Sequence, residues 1–99
     1  MSGEARLSER MISFVHDVNK QMTEKRLNHA KHIHDPETRA WAESLKNQAY
    51  ELMQEADAIR SDFSEKGVKT IEKEEEGKEI AINRDFVSMV ASRIEELLR

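Results

Sequence analysis

A chain of 99 residues has room for one domain with a single modest core, and its lack of cysteine excludes a disulfide scaffold, a thiol nucleophile and any thiolate metal site. Hydrophobic residues make up 37% and charged residues 36%, so the core must be thin and order must come from helix periodicity. The net charge of −4, with a mildly basic first third beside an acidic middle, lacks the concentrated basic face of a nucleic-acid domain, and short apolar runs exclude a spanning helix.

Leu7, Met11, Phe14, Val15, Val18 and Met22 recur at spacings of three and four, which predicts a first helix with one apolar stripe. Thr23-Glu24-Lys25-Arg26 then contains nothing apolar. The five-step advance from Met22 to Leu27 turns the stripe by roughly 140°. Either the helix is interrupted there, or its continuation through Leu27, Ala30 and Ile33 faces a different neighbour.

His34-Asp35-Pro36-Glu37 marks the clearest boundary. Asp35 suits the N-cap, Pro36 the first helical position and Glu37 the first turn, because each fits a helix N-terminus for its own reason. Trp41, Leu45, Ala49, Leu52, Ala56, Ile59 and Phe63 continue the helical period, predicting a second helix that ends near Lys66 with Gly67 as C-cap. Two long helices joined by a short connection should fold back on each other.

Residues 68–82 read as a short β-hairpin, with Glu74-Glu75-Glu76-Gly77 turning the chain and Ile80 and Ile82 alternating as in a strand; a charged linker is the alternative. Phe86, Val87, Val90, Ile94, Leu97 and Leu98 then predict a third, shorter helix from about Arg84, with Asn83 as N-cap and Asp85 in its first turn. The expected fold is therefore mainly all-α, one domain over residues 1–99. It comprises a long antiparallel helical hairpin, a short C-terminal helix and a small β-hairpin at about 68–82.

The histidines are the one cluster with ligand chemistry. His29 and His32 would share a helix face at the three-residue spacing of paired metal ligands, with His34 and Asp35 beside them. A structural site wants four ligands and these offer two good ones, so exposed polar residues in a last helical turn are the preferred reading. His16-Asp17 and His34-Asp35 are similar to the His-Asp pair of the HD-type metal phosphohydrolases. That pattern also requires a separate upstream His, a downstream Asp and a larger bundle, and neighbours on a helix point apart. Three scattered glycines make no phosphate loop, no serine stands in a nucleophile elbow, and the Glu72–Glu79 charge run reads as a solvated face.

The expectation that follows is a non-enzymatic helical protein–protein interaction module, a regulator, inhibitor or chaperone-like adaptor in the cytoplasm, with no cofactor and no membrane contact. Its partner is another protein, and a homodimer is the expected state because the stripes after Met22 and along the last helix need cover. Candidate interface residues are Leu27, Ile33, Trp41, Tyr50, Phe86, Val90, Ile94 and Leu97, with Trp41 favoured as core on its spacing to Leu45. A histidine-based divalent-metal binder is one alternative. A nucleic-acid accessory protein using Arg6, Arg10, Lys20, Lys25, Arg26 and Lys31 is a weaker one, since acids are interspersed.

Overall fold

The computed structural model describes residues 3–65 and 71–99, with side chains from Arg6 onward. The described chain is all-helical, with α1 at Gly3–Glu24, α2 at Pro36–Glu65 and α3 at Ile71–Leu98. Helix α1 buries Leu7, Met11, Val18 and Met22, the stripe its spacing predicts. It ends where that stripe breaks. Arg26 adopts a left-handed conformation (φ 59°), its N–H donates to the Thr23 carbonyl at 3.1 Å, and the Leu27 N–H donates to the Met22 carbonyl at 2.9 Å. These two bonds form a Schellman motif, which satisfies the last carbonyls of a helix and stops it. The 140° turn of the stripe is thus a helix end rather than a change of neighbour.

Helix α2 starts as expected. The Thr38 N–H and hydroxyl donate to Asp35 Oδ2 at 2.9 and 2.8 Å, and the Arg39 N–H donates to the Asp35 carbonyl at 2.9 Å. Its buried stripe alternates small and large, with Ala42, Ala49 and Ala56 seven apart and Leu45 and Leu52 between them. Small residues on that repeat let neighbouring helices approach while the leucines fill the space between. The expected Gly67 cap lies outside the described residues.

Three expectations need correction. No β-hairpin forms over the described part of 68–82, the C-terminal helix is not short, and Asn83 is no N-cap: α3 begins at Ile71 and runs through Glu74-Glu75-Glu76-Gly77. The core-facing line of α3 is continuous from Lys73 through Glu76, Ile80, Asn83, Val87, Ala91 and Ile94 to Leu97, but its first members are polar and invisible to an apolar-period search. Glutamate and lysine are good helix formers, whereas a lone two-stranded ribbon is marginal. Ile80 and Ile82 lie about 200° apart on a helix, so one is core and the other is 57% exposed.

The helices run up, down and up. Leu7 and Met11 join Ala49, Leu52, Ala56, Ile80 and Val87 in one cluster, while Val18 and Met22 join Ala42, Leu45, Ile94 and Leu97 in another. All three helices pack on one another in a bundle 48 × 20 × 20 Å, whose long axis matches a 30-residue helix of ~45 Å. Past the start of α1, Ile59 and Phe63 extend the core along the α2–α3 pair, where Lys73 Nζ stands 5.1 Å over the Phe63 ring.

Candidate functional site

Of the six exposed large hydrophobic side chains among the described residues, Ile12 (54% exposed), Phe86 (51%) and Met89 (67%) line the hollows between α1 and α3, and the helical phase of α3 sets Ile82 (57%) beside Phe86 and Met89. Their placement follows from helix geometry. On α3 the core takes positions 80, 83, 87, 91 and 94, and a second line with the same three–four spacing runs beside it through Glu75, Glu79, Ile82, Phe86, Met89 and Arg93. A helix with one apolar stripe needs one neighbour, and α3 has two stripes.

Between the helices the face dips into two adjoining hollows of about 310 Å³ each. Both are bordered by Val15, Asn19 and Phe86. One continues over Val90 and Met89 to Arg93, the other over Ile12 and His16. Asn83, 7% exposed, stands at the floor of the second, and its Nδ2 has no hydrogen-bond partner. A buried amide donor left unpaired costs about 1–3 kcal/mol, so its presence in a thin core calls for an explanation.

One end of the face is closed by a polar strap. Arg93 donates to the carbonyls of Leu27, Asn28 and Ala30 at 3.3, 3.1 and 2.9 Å. From α2, Arg39 donates to the Ile33 carbonyl at 2.7 Å and the Leu98 carbonyl at 2.6 Å, and the Ile33 N–H donates to the Leu97 carbonyl at 2.8 Å. The α1–α2 connection is thereby fastened across the end of α3. Carbonyls left open by a helix terminus and an irregular loop find their donors in two guanidinium groups.

The expected interface residues do not form one surface. Phe86 and Val90 line the α1/α3 face, with Ile94 beneath them at 1% exposure. Ile33 and Leu97 are buried in the chain's own core at the strap, and Leu27 is half-buried there. Trp41 is half-buried, its Nε1 donating to Gln21 Oε1 at 2.6 Å with Lys25 Nζ 5.0 Å over its ring. Tyr50, exposed beside the seam between α2 and α3, donates across it to the Glu95 carboxylate, a hydrogen bond that raises its pKa. Ile12, Val15, Ile82, Asn83 and Met89 belong to the face but are not among the expected interface residues, Val15 being read as core stripe, Ile82 as strand and Asn83 as N-cap. The second three–four line of α3 is the signal that finds Ile82 and Met89.

His29, His32 and His34 are exposed in the non-helical connection, so the shared helix face expected of His29 and His32 does not exist. His32 Nδ1 donates to the Arg99 carbonyl at 3.1 Å and its ring lies 6.0 Å from that of His34. Among the described residues no three His, Cys, Asp or Glu side chains converge as a metal site requires, and no helix is long and apolar enough to cross a membrane. Of the basic residues considered for nucleic acid, Arg10 pairs with Glu55 at 3.0 Å and Lys25 is engaged with Trp41. No family model, curated protein or solved structure matches this chain.

Proposed function

We propose that the protein is a non-enzymatic interaction module whose working surface is the α1/α3 face, and that the face receives an amphipathic helix. The observation that carries this reading is the co-location of Ile12, Ile82, Phe86 and Met89. Single exposed hydrophobes need no explanation, but four side chains on one face make an apolar patch of several hundred Å², the scale at which interaction sites stand out. A helix suits the face because the exposed line on α3 has the three–four spacing of a helix–helix seam, and a hollow lies alongside it for the knobs of a second helix. The unpaired Asn83 amide adds a polar point at the floor, where a paired contact would fix register as buried asparagines do in coiled coils.

Photo-crosslinking in the cell tests this. A crosslinking residue at Met89 or Ile82 should give protein adducts mapping to a helical segment, and one at Asn47, on the outer side of α2, should not. Equal adducts from both faces, or none from either, would overturn the assignment.

A further inference from the structure

We infer that the helix received by the α1/α3 face is α3 of a second copy of this chain, laid antiparallel with Phe86 on the two-fold axis. The inference rests on the reading of that face as a helix-docking surface and adds the identity and direction of its occupant.

The exposed line of α3 is self-complementary in one direction only. Glu79 stands seven residues before Phe86 and Arg93 seven residues after it, with Ile82 four before and Met89 three after. Turned antiparallel about Phe86, one copy sets its Ile82 against the other's Met89 and its Glu79 against the other's Arg93, and the two-fold repeats both pairings. A parallel pairing sets Glu79 on Glu79 and Arg93 on Arg93, and like charges facing each other are unfavourable. A closed two-fold also leaves no open end on which further copies could add.

The centre of the face agrees with this axis. Ile12 and Phe86 border the same hollow, so an axis through it brings both anchors of one copy against both of the other. The area is also of the right order. Half-exposed side chains of this size offer about 100 Å² each, so four supply roughly 400 Å². A standard interface takes about 800 Å² from each partner, its centre apolar and its rim polar. Here the polar surround is His16 on α1 and Glu79 and Arg93 on α3, with Asn19 between the two hollows. The Arg93 guanidinium is held by the strap carbonyls and has the Glu96 carboxylate 3.6 Å from one nitrogen, so an incoming Glu79 adds a second carboxylate to a group whose position is already fixed.

Light scattering coupled to size exclusion should give twice the 11.5 kDa chain mass for the full chain. Phe86→Lys should return the single-chain mass with an unchanged helical circular-dichroism spectrum, since Phe86 lies outside the core. Direction is read by disulfide trapping, which the cysteine-free sequence keeps clean. In the antiparallel register, residues of the same number at 82 or 89 lie ~9–12 Å apart along the axis, beyond the ~7 Å reach of a disulfide. Ile82→Cys mixed with Met89→Cys should therefore crosslink on mild oxidation while each alone does not. Crosslinking of each variant with itself overturns the antiparallel register. A dimer that survives Phe86→Lys overturns the face. A single-chain mass for wild type overturns the second copy as occupant, whereas crosslinks from Met89 to a different protein would leave the helix-docking reading standing.

Discussion

At position 26 the end of α1 requires a left-handed backbone, and the chain places arginine there. A residue with a Cβ carries about 1–2 kcal/mol of strain in that conformation, which glycine avoids. Arg26→Gly should therefore stabilise the protein by roughly 1 kcal/mol, seen as a rise of about 4–8 °C in melting midpoint. A fall would show that the Arg26 side chain contributes contacts outweighing the strain. Asp35 gives a second test at this scale. The Thr38 backbone N–H, then its hydroxyl, hold the carboxyl below its ordinary value of 3.8. A depressed folded-state pKa means that the charged cap stabilises above the unfolded value, and that this contribution is lost as pH falls through the folded value. Asp35→Asn keeps a capping oxygen but cannot titrate. Its stability should fall less than that of wild type as acid is added below about pH 4, measured by thermal melts across that range. Parallel curves would remove the cap from the acid response.

At the scale of elements, α3 shows why part of the fold was hidden in the sequence. The first two helices were legible because their core positions are apolar and their ends carry chemistry that stops or starts a helix, the break after Met22 and the Asp35-Pro36 start. In α3 the core line begins with Lys73, Glu76 and Gly77, so the first turns look like solvated charge and Asn83 looks like a cap. Packing against α2 settles the matter, since Ile59 and Phe63 need a neighbour there. Gly77 is the weakest point of the helix, and a Cβ added to it meets nothing within 4 Å. Gly77→Ala should raise stability by about 0.5–1 kcal/mol by removing the entropic cost of glycine in a helix. A destabilised variant would contradict a continuous α3 through this position. The strap was hidden for a different reason. Arg39 and Arg93 reach carbonyls more than fifty residues away in sequence at their far contacts, and nothing in local spacing announces such a bond.

The molecule as a whole reconciles a charge-rich sequence with a bundle by economy. The buried apolar set uses alanine at four positions, so helices approach closely and few large side chains are needed. That leaves Ile12, Ile82, Phe86 and Met89 more than half exposed, although a thin core has most to gain from such residues. Ile33 and Leu97, expected at an interface, are instead consumed in closing the bundle, and the face lies one helix-shoulder away from where the apolar period alone would place it. Its location depends on which stripe of α3 the other two helices cover, and that is a tertiary fact. The proposed homodimer brings two copies together on the α1/α3 face. Backbone amide spectra of the isotope-labelled protein, recorded from low micromolar to near-millimolar concentration, test it most directly. The prediction is concentration-dependent shifts confined to the residues around Ile12, Asn19, Ile82, Phe86 and Met89, with α2 positions such as Asn47 and Gln54 unmoved. Spectra that do not change with concentration, or changes centred on α2, would contradict it.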